Sequence, residues 1–238
     1  MRVINNKHLY QVTFMASVFP VNCYLVEETD GLTLIDAALG FCTKGIMKAA
    51  ETIGKPITKI VLTHAHEDHV GALDSLKELL PEVPVYISQR DHRLMNGDRS
   101  LDSHEVQLPI KGGVPKKLKT SANILLKEGD VIGSLTAIET PGHTPGSMSF
   151  LDLRTKALIA GDAFQTRGGM AVAGDIVPWF PFPAFGTWSK ETALTSARKL
   201  VGCQPELLAV GHGEMVLNPV NEMEKAIKNL ERKIRVRS

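Results

Sequence analysis

The sequence predicts an α+β fold of four layers, with two β-sheets packed face to face and helices covering their outer sides. Three observations carry this reading. Residues 8–35 and 124–160 read as strand after strand, and each stretch is accompanied by helical segments. No interior linker divides the chain, so residues 1–238 are read as one domain that includes a C-terminal helix at about 219–234. Finally, four separate strand ends offer imidazole or carboxylate side chains, as if one edge of the sheets were built to hold something.

The elements follow in order. Leu9 to Met15 alternates loosely, Asn22 to Glu27 is a second strand, and Gly31 to Ile35 a third, with Thr29-Asp30-Gly31 as the hairpin turn between the last two. The third strand ends in Asp36-Ala37-Ala38. Gly40 and Thr43 open a helix that runs to Ile53 and stops at Gly54 and Pro56. Ile57 to Leu62 is a buried strand, Val70 to Leu80 a helix, Pro84 to Ile87 a short strand, and a short helix starting near Ser88 spans Asp91 to Leu94. From Asn96 to Thr120 the pattern fails, because Gly97, Pro109, Gly112, Gly113 and Pro115 interrupt it. This stretch reads as a surface excursion whose lysines (Lys111, Lys116, Lys117, Lys119) form a solvated face or line a substrate entrance. Strands resume at Ile124 to Leu126, Val131 to Glu139, Ser147 to Leu151 and Ala157 to Ala160. Ser189 to Val201 is a helix, Leu207 to Val210 a last strand, and a basic tail follows the final helix.

A formal net charge of +1 argues against a nucleic-acid binder driven by bulk charge. No apolar run reaches the length of a membrane span, and the N-terminus lacks an apolar leader, which predicts a cytoplasmic protein with no membrane association. Cys23, Cys42 and Cys203 form no CxxC pair and are odd in number, as expected of reduced, packed thiols.

The chemistry is concentrated where the strand Ile57 to Leu62 ends. His64-Ala65-His66-Glu67-Asp68-His69 places three of the eight histidines and two carboxylates within six residues. Side chains alternate in extended backbone, so His64 and His66 share a face and can hold one cation between them, while Glu67 points away. Asp68 and His69 follow the turn of the chain and can address a neighbouring position. One short element can therefore serve both positions of a two-metal site. Three further strand ends add His143 within Thr140-Pro141-Gly142-His143-Thr144-Pro145-Gly146, Asp162 after Ile159-Ala160-Gly161, and His212 between Gly211 and Gly213.

Together, the HxHxDH motif and the three later residues resemble the metallo-β-lactamase superfamily over roughly residues 20–215, closest in style to glyoxalase II and the metal-dependent lactonases. The resemblance implies an αβ/βα sandwich with a metal centre at one edge between the sheets. It implies that His64, His66 and His143 hold a first metal, that Asp68, His69 and His212 hold a second, and that Asp162 bridges them. Two divalent cations are implied, zinc first and iron(II) or manganese(II) as alternatives. The implied activity is hydrolysis of an ester, lactone or thioester carbonyl of a small metabolite by metal-activated water, with Asp68 as the catalytic residue that orients the nucleophile. The absence of a cysteine beside Asp162 departs from the zinc β-lactamases that use a thiolate ligand. The short span after His212 leaves no room for the helical domain by which glyoxalase II enzymes grip glutathione. A mononuclear iron persulfide dioxygenase is one alternative, and a small phosphodiesterase or ribonuclease, supported only by the lysines, is another. The expected partner is a small molecule; a homo-oligomer has no support in the sequence.

Both tryptophans and three of the eight phenylalanines fall between 179 and 188, interleaved with Pro178, Pro181 and Pro183. This stiff segment either walls the substrate, with Phe14, Met15, Val18 and Phe19, or closes the core. Arg167 is a candidate for meeting an anionic group, and Asp36 for accepting a hydrogen bond from a metal-ligand imidazole. His8, His92 and His104 read as surface or capping histidines.

Overall fold

Seven strands form the first sheet in simple chain order. In this computed structural model, which describes residues 1–236, β1 (Arg2–Asn6), β2 (Leu9–Phe14), β3 (Val21–Glu27) and β4 (Leu32–Ile35) pair antiparallel. Strands β5 (Ile57–Val61), β6 (Val85–Ser88) and β7 (Ile124–Leu126) then add in parallel. Parallel neighbours need crossovers, here α1 (Thr43–Ile53), then α2 (Glu67–Val70) with α3 (Leu73–Leu79), and α4 (Gln89–Met95). The second sheet contains β8 (Val131–Ile132), β9 (Leu135–Glu139), β10 (Met148–Asp152), β11 (Ala157–Ile159), β14 (Leu207–Ala209) and β15 (Val216–Leu217) in the order β15-β14-β11-β10-β9-β8. A small hairpin of β12 (Phe164–Gln165) and β13 (Ala171–Val172), a short α5 (Phe182–Gly186), and the helices α6 (Lys190–Gly202) and α7 (Val220–Arg235) complete the chain.

Residue parity sorts the side chains into layers. In β3, Cys23 and Leu25 face the first helical layer, where Ile46 and Ala49 of α1 and Leu73 and Leu76 of α3 cover them. The alternate residues Tyr24 and Val26 turn inward to Leu135, Ala137, Phe150 and Ile159 of the second sheet. On the far side, Leu158 and Leu208 meet Ala197 and Leu200 of α6 and Met223 and Leu230 of α7. The result is the four-layer αβ/βα sandwich expected from the sequence. Strands buried on both faces explain why the central runs read as continuously apolar. At one end, Arg154 joins the sheets by donating to Glu27 O at 2.9 Å and to Asp152 Oδ2 at 2.7 Å.

Several elements differ from expectation. The helix predicted over Val70 to Leu80 is two pieces, because Gly71 N leaves the helical ladder to donate to Ala38 O at 2.8 Å. The single strand predicted over Val131 to Glu139 is a tight hairpin that turns at Gly133, whose φ is +59°. Strands β1, β12, β13 and β15 were not anticipated; all but β1 are two residues long and carry no readable period. The excursion from 96 to 123 has no regular structure, yet it buries Ile110 and Val114 in the first core. Of the basic tail, Arg237 and Ser238 lie outside the described residues.

Candidate metal centre

Five chain segments converge where the strands end. Residues His64 to His69 follow β5, Asp36 follows β4, His143 follows β9, Asp162 follows β11 and His212 follows β14. The inward atoms of His64, His66 and His143 all lie within 4.8 Å of one another, as do those of Asp68, His69 and His212. Asp162 touches both sets: its Oδ2 is 3.3 Å from His143 Nε2 and 3.2 Å from His212 Nε2, and its Oδ1 is 3.4 Å from His69 Nε2. Gly211 makes this approach possible, since a methyl group there would overlap Asp162 Oδ1.

The outward nitrogens determine the chemistry of the inward ones. His69 Nδ1 donates to Asp36 Oδ2 at 2.8 Å, and His212 Nδ1 donates to Pro20 O at 2.7 Å. Thr63 Oγ1 donates to Asp36 Oδ2, which leaves its oxygen free to accept from His64 Nδ1 at 3.0 Å. Thr187 Oγ1 likewise donates to Pro183 O and accepts from His143 Nδ1 at 3.1 Å. His66 is reversed: its Nε2 donates to Lys111 O at 3.0 Å, and Nδ1 turns inward. A ring that donates outward and is neutral carries a lone pair inward.

His66 Nδ1 and His143 Nε2 therefore face each other as acceptors only 3.0 Å apart. The inward His64 Nε2, His69 Nε2 and Asp162 Oδ1 are buried without a hydrogen-bond partner. In the His64, His66 and His143 group the acceptors converge with no donor between them, which is costly and fits a cation. The donor set of imidazole nitrogen and carboxylate oxygen suits Zn²⁺, Fe²⁺ or Mn²⁺.

Titration divides the two groups. In the first, burial pushes His64 and His66 down and takes His143 to about 3. In the second, burial also opposes charge on His69 and His212, but Asp162 and its carboxylate neighbours outweigh it, raising both, His212 to about 10. Asp68 and Asp162 are held below the usual carboxylate range despite their burial, by His69 with His212 and by His212 with His69 respectively. The carboxylates thus favour positive charge, whether a proton or a cation, beside His69 and His212.

Other predicted residues are placed as follows. Glu67 is exposed, and Asp36 accepts from His69 as anticipated. Among the described residues Arg167 pairs with no carboxylate; its guanidinium donates to Ser17 O at 2.9 Å. His8 and His104 are exposed, and His92 bonds Ser121 Oγ at the surface. The three cysteines are free. Sequence reasoning missed Asp91, which is fully buried and accepts from Ala65 N, Thr144 Oγ1 and Gly146 N, tying the His64–His66 segment to the His143 loop. Its position in the first turn of α4 carried no signal beyond that of an ordinary helix.

The aromatic segment divides between the interior and the surface. Phe180 and Trp188 are 1% and 3% exposed and belong to the interior, whereas Trp179, Phe182 and Phe185 are 88%, 53% and 61% exposed. Phe19 and Phe180 lie with ring centroids 5.3 and 5.4 Å from that of His212, and Phe182 packs on both. An apolar shelf therefore begins at the second group and opens to solvent.

Residues 16–212 match the metallo-beta-lactamase superfamily, and the chain belongs to that superfamily. It is 54% identical to the uncharacterized protein YobT of Bacillus subtilis (strain 168), over 98% of this chain and 100% of that one. It is 29% identical to the acyl-coenzyme A thioesterase MBLAC2 of Gallus gallus, over 72% of this chain and 65% of the relative. Among solved structures, TTHA1623 in a di-iron-bound form superposes with a TM-score of 0.66 at 27% identity, covering 89% of this chain and 96% of the other.

Proposed function

We propose that the chain is a dinuclear metal-dependent hydrolase acting on an ester, lactone or thioester carbonyl of a small metabolite. The observation that carries this reading is the pair of inward lone pairs on His66 and His143, 3.0 Å apart, beside a carboxylate that touches both groups. In this reading His64, His66 and His143 hold one cation, Asp68, His69 and His212 hold the other, and Asp162 bridges them. When bound, such cations polarise a carbonyl and make water nucleophilic near neutral pH.

The chain's own residues do the rest. Asp68 is 23% exposed at its side chain, against 3% for Asp162 and 0% for His69, so it is the charged group of the centre with access to solvent. Held ionised by His69 and His212, it accepts a hydrogen bond from the attacking water and so orients it. The rings of Phe19 and Phe182, backed by the buried Phe180, receive the apolar part of the acyl compound and exclude water beside His212. The likeness to an acyl-coenzyme A thioesterase favours a thioester among the acyl classes.

The test combines metal quantification with turnover of lactones, thioesters and phosphodiesters in one preparation purified without chelator. The reading expects two transition-metal ions per chain and hydrolysis of at least one acyl class. Fewer than about one tightly bound ion would sink it. A single iron with oxygen consumption on a persulfide would establish the mononuclear dioxygenase in its place.

A further inference from the structure

We infer that Gly112 is a positioning residue for the first metal: its missing side chain lets the Lys111–Gly113 turn lie flat against His66. The Lys111 carbonyl then holds the proton on Nε2 and leaves Nδ1 as the donor. The inference rests on the dinuclear reading above.

Four observations support it. A methyl group on Gly112 would overlap His66 Nε2, Cε1 and Cδ2 together, and these are atoms of a ring with no room to retreat. Gly112 also has φ +84°, a conformation that residues with a Cβ rarely adopt. The turn is pinned on both sides: Ile110 and Val114 are buried in the first core, Glu67 N donates to Gly113 O at 2.7 Å, and Val114 N donates to Gly112 O at 3.1 Å. Farther back, Trp188 Nε1 donates to Leu108 O at 2.9 Å. The turn therefore cannot swing aside to accommodate a larger residue.

The neighbouring glycines behave differently. A methyl on Gly113 would come no nearer than 3.4 Å to its neighbours, the nearest being the exposed Glu67 side chain. A methyl on Gly186, which approaches the same rings from the aromatic segment, would sit at ordinary contact, 3.5 Å from His143 Cε1 and 3.8 Å from His66 Cε1. Of the three glycines near this edge of the centre, Gly112 alone must lack a side chain.

The experiment measures metal retention of the purified holoenzyme against graded chelator for the wild type, Gly112→Ala, Gly112→Asn and Gly113→Ala. The inference expects both Gly112 variants to lose one ion selectively, with affinity at the first position lowered about 10–100-fold, while Gly113→Ala retains both. Asparagine tolerates positive φ, so its failing like alanine separates overlap with His66 from backbone strain. Retention of two ions by either Gly112 variant with wild-type affinity overturns the inference. Should these variants not fold, ¹⁵N–¹H correlation of the wild-type imidazoles decides: His66 protonated at Nε2 supports it, and at Nδ1 overturns it. A wild type that binds no metal would instead defeat the dinuclear reading itself.

Discussion

Asp36 Oδ2 accepts from His69 Nδ1 at 2.8 Å while the same carboxylate takes both the amide, at 2.7 Å, and the hydroxyl, at 2.8 Å, of Thr63. One buried side chain at the end of β4 thus orients a histidine of the second group and, through Thr63, His64 of the first. Asp36→Asn tests this with little backbone penalty, because asparagine tolerates the native φ of +61°. Its amide cannot accept from all three donors, and His69 is expected to shift its proton to the inward nitrogen. Metal affinity should fall about 10–100-fold, measured by competition with a chromophoric chelator. Unchanged affinity would show that Asp36 is only structural.

Metal uptake should release protons. The neighbouring carboxylates raise the pKa of His69 and of His212, the latter to about 10, so incoming cations compete with protons for these nitrogens. Calorimetric titration in two buffers of different ionisation enthalpy should report net proton release on metal uptake. Apparent affinity should weaken as pH falls, because protons compete for the same nitrogens. Uptake without proton release would contradict the charge assignment.

Asp162 and Glu67 form a contrasting pair. Asp162 lies within 3.4 Å of three histidines from both groups, whereas Glu67 is exposed between the candidate ligands in sequence. Asp162→Ala should lower metal content from two ions toward one, and Glu67→Ala should leave it unchanged, as read by elemental analysis. Loss of metal in the Glu67 variant would mean that alternation along the motif does not govern which side chains point inward.

Away from the centre, burial would raise the Asp152 carboxyl, but Arg154 overcomes it and holds the group low. A depressed carboxylate stabilises the fold above its unfolded value, near pH 3.9, and that contribution disappears as pH falls through the folded value. Arg154→Ala should therefore move the acid-unfolding midpoint to higher pH, while leaving metal content intact. An unmoved midpoint would indicate that the Arg154 link between the sheets contributes little.

Much of this molecule is legible from local pattern. The strand Ile57 to Leu62 and the histidines beyond it can be read because hydrophobic alternation ends abruptly in ligand-capable residues, and a strand end projects such residues at a fixed edge. Helix α1 is legible because Gly54, at φ +81°, caps it where the sequence expects a stop. The break at Gly71 is not legible, since its cause is the Ala38 carbonyl on another segment. The two-residue strands are too short for any period to emerge.

The division at the centre is sharper still. By itself the sequence determined which seven side chains could serve as ligands, because imidazole and carboxylate placed at strand ends are properties of residue type and spacing. Only the tertiary structure decided which nitrogen each ring turns inward. Those choices are made by Lys111 O, Pro20 O, Asp36, Thr63 and Thr187, most of them distant in the chain and two of them plain carbonyls that any residue supplies. Likewise it was packing that buried Phe180 and Trp188 and left Trp179 and Phe182 exposed, since composition alone cannot say which ring of an aromatic run meets the core. A hydrogen bond to a backbone carbonyl leaves no trace in residue identity, which is why the tautomers, and with them the readiness for metal, emerge only when the loops are folded together.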